Sequence, residues 1–197
     1  MKLKSLFARS ICFLLLFSIT TSCDNIQEIT KIEEIKLIKI ETTKGDIMIN
    51  LYNNKAPETV KNFLYYAENG LFDGTIFHRV IKNFMIQGGG HLADMSQINT
   101  IDPVVNESNN NLSNKKGTIS MARTNDPHSA TSQFFINLID NEFLDKKNAQ
   151  DNYGYCVFGE VVEGIDVVEN IGKTTTTSKS GHSDVPVDNI IIKKVQI

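Results

Sequence analysis

The chain of 197 residues contains no tryptophan and only three cysteines. Three thiols are too few for a disulfide scaffold. No apolar run reaches the ~20 residues that a membrane-spanning helix needs. No excess of positive charge is present either: 20 Lys+Arg stand against 23 Asp+Glu, a formal −3. That balance disfavours a nucleic-acid binder. Several catalytic signatures are also missing. Gly88-Gly89-Gly90 lacks both the Gly-Lys-Ser/Thr ending of a phosphate loop and the dinucleotide-binding spacing. His78, His91, His128 and His182 show no two-ligand spacing, so no metal site is expected. Ser129 and Ser132 lie beside His128 but outside any Gly-x-Ser-x-Gly elbow, which argues against a serine hydrolase. What remains is ordinary: 41% hydrophobic and 22% charged residues, the composition of one globular domain.

The N-terminus departs from that average. Residues 1–22 carry Lys2, Lys4 and Arg9 and no acid, and then the apolar run Ile11–Ile19. Thr20-Thr21-Ser22 precedes Cys23. A basic start, a short apolar stretch and small residues before a cut site describe an export signal. Small residues directly before Cys23 resemble a bacterial lipoprotein signal, in which that cysteine is lipidated and becomes the mature N-terminus. Thr20 departs from the usual Leu at that place. Several acyl chains would hold the protein stably on a membrane, where one would be marginal. Asp24 resembles the signal that retains some lipoproteins at the inner membrane. Taking Lys2, Lys4 and Arg9 from the 20 basic side chains leaves 17 against 23 acids, a net −6. Cys156 is then the one thiol left. Between apolar strand residues it reads as a buried, inert group.

Residues 23–35 read as a tether, with Ile26, Ile29, Ile32 and Ile35 at every third position. From Lys36 to Ile197 the pattern is one domain. Strands are expected at 36–42, 46–52, 75–81, 84–87, 117–122, 134–138, 155–161 and 189–197. Pro57 suits a helix start and Gly70 its end, with Val60, Phe63, Leu64 and Ala67 on one face. A second helix is expected at 165–171, with Ile165, Val168 and Ile171 inward. The stretches 91–116 and 173–186 read as loops. About eight strands and two helices suggest a mainly β protein: a closed eight-stranded antiparallel barrel capped by two α-helices.

Two segments concentrate chemistry. Phe77–Gly89 (FHRVIKNFMIQGG) and Gly117–Ile136 (GTISMARTNDPHSATSQFFI) place an Arg, Phe, Met and Gln, then a Gln and a Phe pair, on neighbouring strands. An apolar aromatic floor with one fixed cation and two amides suits a small apolar ligand with a polar backbone beside it. No nucleophile, acid–base pair or metal cluster accompanies them. The arrangement points to binding, or to catalysis without proton transfer.

These segments resemble the two signature stretches of cyclophilins, the peptidyl-prolyl cis–trans isomerases. The similarity runs from about Lys36 to Ile197 and includes Tyr155–Gly164 (YCVFGEVVEG). The bacterial branch is indicated by Met121-Ala122-Arg123-Thr124 and Pro127–Thr131. The resemblance implies a cyclophilin-like barrel, isomerase activity on proline-containing polypeptides, and no cofactor. It implies that Arg79 is the catalytic arginine and that Gln87 holds the substrate backbone and helps place it. Phe84, Met85, Phe135 and Leu144 would wall the proline pocket. Ala122, Arg123 and Gln133 would line the groove beside it, with Phe143 and Tyr155. Three of these depart from the familiar eukaryotic pattern: Phe143 stands where Trp is common, Tyr155 where His is common, and Arg123 where Asn is common.

The expected protein is therefore an exported isomerase. It is expected to be a monomer, anchored through lipid on Cys23 and facing the periplasm or the cell exterior, where it assists folding. Two rivals differ in class. One is a chaperone module that holds proline-bearing segments with incidental turnover; the other is a structural envelope lipoprotein with no peptide binding. The retained Arg79, Phe84, Gln87 and Phe135 favour the enzyme.

Overall fold

In the computed structural model, which describes residues 36–197, the chain opens with a hairpin of β1 (Lys36–Thr42) and β2 (Gly45–Leu51). Ile38, Ile40, Ile47 and Ile49 point inward and are fully buried, while the residues between them face out. The expected leader, Cys23 and tether lie outside the described residues.

Helix α1 (Pro57–Glu68) follows, with Pro57 in its first turn. Its N-terminal N–H groups find an acceptor from far along the chain. Thr59 donates through its backbone N–H and hydroxyl to Glu107 Oε2 at 2.8 and 2.7 Å, and Glu58 N–H donates to Oε1 at 3.3 Å. A carboxylate there meets the positive end of the helix and ties the 101–110 loop to α1. Val60, Phe63 and Ala67 are buried as their spacing predicts. The Phe63 ring lies within 4.9–5.5 Å of Phe72, Phe134 and Phe158, centroid to centroid. This aromatic group is the middle of the main core.

The remaining elements are β3 (Arg79–Ile81), β4 (Met85–Gly88), β5 (Thr118–Met121), β6 (Phe134–Asn137), β7 (Val157–Glu163), α2 (Ile165–Ile171), β8 (Thr176–Lys179), β9 (His182–Pro186) and β10 (Ile192–Gln196). Eight strands form one antiparallel sheet in the order β10-β1-β2-β7-β5-β6-β4-β3. Gly164 feeds α2 from β7 at φ +82°, where a Cβ would stand 2.3 Å from the Asp46 carbonyl oxygen, so glycine is required twice over.

Four expectations need correction. The sheet is curled but its ladder does not close: β3 and β10 are its two ends. They approach only through one isolated bridge, Ile76 to Ile191, and a few backbone bonds such as Ile192 N–H to Thr75 O at 2.7 Å. The cause lies in the expected strand 75–81. Thr75 and Ile76 divide their bonds between the 91–92 and 190–192 segments, the chain leaves extended pairing at Phe77-His78, and only Arg79–Ile81 joins the sheet. The 173–186 loop contains the separate hairpin β8–β9. Of the expected inward face of α2, Val168 and Ile171 are buried but Ile165 is exposed. His78, whose strand setting reads as that of a satisfied core histidine, is buried, yet its Nδ1 has no partner among the described residues.

That histidine belongs to a row. The His78 ring centroid is 4.4 Å from that of His91, which is 5.1 Å from that of His182 on β9. Both ring nitrogens of buried His91 also lack partners among the described residues. Burial first, and then the neighbouring rings of His91 and His182, lower the His78 pKa from 6.5 to about 4. A histidine held neutral by the fold takes up protons more readily when unfolded. Its contribution is intact above pH 6.5 and is lost as pH falls toward 4. We expect a stability loss of roughly 2 kcal/mol from this group between pH 7 and 5. Urea unfolding across that range measures it, and His91→Phe should flatten the decline. A midpoint unmoved from pH 7 to 5 would contradict the assignment.

Candidate active site

Strand alternation sorts the two signature segments onto opposite faces of the sheet. Val80, Ile86, Ile119, Met121, Phe134 and Ile136 point into the main core. The intervening residues Arg79, Ile81, Met85, Gln87 and Phe135 face the other way. Register aligns them: Arg79 stands opposite Gln87, and Gln87 opposite Phe135. A second, smaller apolar cluster forms on this face from Met85, Phe135 and Leu144, packed by Ile81, Phe84, Ala122 and Tyr155. Leu144 arrives from the 3-10 turn Glu142–Leu144.

Arg79 is exposed at the edge of this floor. Its Nη1 donates to Gln87 Oε1 at 3.3 Å, and Gln87 Nε2 donates to Gln133 Oε1 at 2.8 Å. The two amides orient the guanidinium without neutralising it. Among the described residues no carboxylate pairs with Arg79. Its remaining N–H donors stay available, and the guanidinium stays charged. The Phe143 ring stacks on Phe84 with centroids 5.7 Å apart while 58% of Phe143 remains exposed, which makes it a rim. Tyr155 sets its ring edge-on to Phe135 at 5.7 Å.

All the residues singled out from the sequence meet here, apart from Cys23, which lies outside the described residues. Arg123 is the one that comes in a different posture. Its side chain is only 4% exposed, lies over the Tyr155 ring, and is bonded into the 151–154 loop.

The sequence reading missed what holds the walls. Behind the cluster runs a buried polar chain. Ser120 Oγ donates to Asn114 Oδ1 at 2.7 Å, and Asn114 Nδ2 and backbone N–H donate to Asp145 Oδ1 at 3.1 and 2.7 Å. Asn137 Nδ2 donates to Asn114 Oδ1 and to Thr118 Oγ1. Asn141 Nδ2 reaches both Asn137 Oδ1 and the Phe84 carbonyl, at 2.8 and 2.9 Å. Phe84, Leu144 and Tyr155 therefore hang on one network. The sequence carries no local signal for it: Asn114 lies in the expected 91–116 loop, and Ser120 and Asn137 lie in expected strands.

Other chemistries fail on geometry. His128 Nδ1 accepts from Asn106 N–H, while Ser129 Oγ is engaged by Thr124 and Asp126, so no nucleophile–base pair forms. Cys156 is buried as expected, and burial pushes its thiol up to about 11. No group of three or more His, Cys, Asp or Glu among the described residues is arranged to hold a metal ion. A positive donor beside an apolar floor can bind a small ring and stabilise electron density next to it.

The comparisons agree with that chemistry. Residues 37–197 match the family described as cyclophilin type peptidyl-prolyl cis-trans isomerase/CLD. The chain is 52% identical over 163 residues to peptidyl-prolyl cis-trans isomerase B of Escherichia coli, covering 82% of this chain and 99% of that one. It is also 52% identical over 161 residues to peptidyl-prolyl cis-trans isomerase cyp18 of Streptomyces antibioticus, covering 81% and 97%. A Cryptosporidium parvum cyclophilin-type isomerase crystallised in the presence of the dipeptide Ala-Pro superposes with a TM-score of 0.64 at 29% identity, covering 82% and 98%. The chain belongs to the cyclophilin-type peptidyl-prolyl cis–trans isomerases. Its activity is rotation about X–Pro peptide bonds.

The polar chain gives a test. Asn114→Ala strands the buried Ser120 hydroxyl and takes one bond each from Asn137, which keeps Thr118, and from Asp145, which keeps the residue-114 backbone N–H and Ser113. One stranded group at ~1–3 kcal/mol and two lost bonds at ~0.5–1.5 kcal/mol each give a total loss of roughly 2–6 kcal/mol, expected in denaturant unfolding. A loss below ~0.5 kcal/mol would show that the network does not hold the walls.

Proposed function

We propose that Arg79 accelerates rotation by donating to the prolyl nitrogen of the twisted amide, in polypeptides that have been exported. The observation that carries this is a guanidinium fixed by a neutral amide, Gln87, beside the Met85–Phe135–Leu144 apolar cluster. The barrier of ~18–20 kcal/mol arises because rotation breaks amide resonance. As the bond twists, the nitrogen regains a lone pair. A donor aimed there binds the twisted state and gains nothing from the planar one, which is the condition for acceleration. The pocket seats the proline ring, and its dryness strengthens the bond to Arg79. Lowering the barrier by ~7 kcal/mol gives about 10⁵-fold acceleration with no covalent step.

Location rests on the N-terminal pattern. Cys23 follows Thr20-Thr21-Ser22 behind a basic–apolar leader, so the mature chain carries lipid on Cys23 and sits on a membrane facing the periplasm or the cell exterior. Its substrates are then exported polypeptides.

Two measurements test these statements. In a proline-peptide assay Arg79→Ala should lower kcat/KM on the order of 10²–10³-fold, as loss of one transition-state donor does; an unchanged rate would refute the role. Mass spectrometry of the mature protein should find an acylated Cys23 at its N-terminus, and Cys23→Ser should release the protein from membranes. An N-terminus elsewhere, without lipid, would refute the anchor.

A further inference from the structure

Arg123 matches a groove position of the family, yet its bonds run away from any substrate. Its Nε and Nη2 both donate to the Gly154 carbonyl, at 3.1 and 3.0 Å, and Nη1 donates to the Thr124 carbonyl at 3.0 Å. Nη2 also pairs with Asp151 Oδ2. The other oxygen of Asp151 accepts the N–H groups of Tyr153 and Gly154, both at 2.9 Å. Asn106 Nδ2 adds a further bond to the Gly154 carbonyl at 3.0 Å. Four of the five guanidinium N–H donors are thus spent within the protein.

Its flat face is spent as well. The Arg123 Cζ lies 4.5 Å from the centroid of the Tyr155 ring, a cation–π stack, and the same ring meets Phe135 edge-on. Tyr155 N–H donates to the Leu144 carbonyl at 2.9 Å. Gly154, at φ +65°, lets the loop press against the 144–146 backbone, where a Cβ would stand 2.5 Å from the Leu144 carbonyl oxygen. The loop 151–155 therefore has one arginine at its centre, and that arginine sets the tilt of one wall of the pocket.

We infer that Arg123 is a positioning residue: it holds the Tyr155 ring against Phe135 and leaves contact with the peptide to Tyr155. The assignment rests on Tyr155 lining the peptide groove. Lysine is no substitute. It carries the charge for Asp151, but it has neither the forked donors for Gly154 nor a planar face for the ring.

The test is a double-mutant cycle in the 24–197 chain, with kcat and KM read separately for a proline peptide. Arg123→Ala and Tyr155→Ala should each raise KM about five- to tenfold with little change in kcat, and the double variant should lose no more than Tyr155→Ala alone. Arg123→Lys should behave as Arg123→Ala does, and it carries the cycle should the alanine variant not fold. None of these losses should depend on whether the peptide bears an acidic residue beside the proline. Losses that multiply, full rescue by lysine, or a loss confined to acidic peptides would overturn the positioning role. A Tyr155→Ala variant with wild-type KM would instead refute the groove reading on which it rests.

Discussion

The structure turns on an arginine partnered by an amide rather than by a carboxylate. A surface cation beside an acid would satisfy its charge within the protein. Arg79 instead leans on Gln87, which leans on Gln133, so geometry is fixed while charge is kept. Arg123, two residues past the end of β5, is the opposite arrangement. It is paired with Asp151, and most of its donors are spent in holding a loop. In the proposed mechanism the two arginines divide the work of one site: one keeps donors free, and the other spends them on shape.

Around Arg79 the fold is a device for building a pocket on the outside of a sheet. Alternation sends Phe134 and Ile136 into the main core and Phe135 out, so a single strand serves two apolar clusters. The inner cluster gives stability, and the outer one forms the floor of the candidate site. An outer apolar patch needs cover and support. The 142–155 segment supplies the cover, and the buried chain from Ser120 through Asn114 and Asn137 to Asn141 supplies the support. Apart from Asn141 Oδ1, which has no partner among the described residues, the buried groups of this chain are paired, and alternative arrangements strand further donors or acceptors.

What could be read from the sequence follows from which forces are local. The β1–β2 hairpin and α1 carry strong periodicity, and their extents agree closely with the expectation. The pocket residues lie on strands with clear alternation and in motifs whose resemblance to cyclophilins is specific, so Arg79, Gln87, Met85 and Phe135 were legible together. The hairpin β8–β9 was not. Its residues Thr176–Lys179 are polar and largely exposed, without the alternation that marks a strand. Sheet closure was overestimated because Thr75–Ile81 looks uniformly extended, while its bonds are divided between two partners. The Asn114–Asp145 pairing joins positions 31 apart, and the embrace of Arg123 joins positions 28 and 31 apart. No local pattern records such contacts, and polar residues in loops read as solvated until the fold buries them.

The central claim is that Arg79 prefers the twisted amide to the planar one. Exchange NMR on a proline peptide with saturating protein separates the two, since it reports peptide affinity and the rate of rotation on the protein in one experiment. With Arg79→Lys, affinity should stay within about threefold of wild type while rotation of the bound peptide slows on the order of a hundredfold. Affinity and rotation falling together, or rotation persisting at the wild-type rate, would contradict the claim.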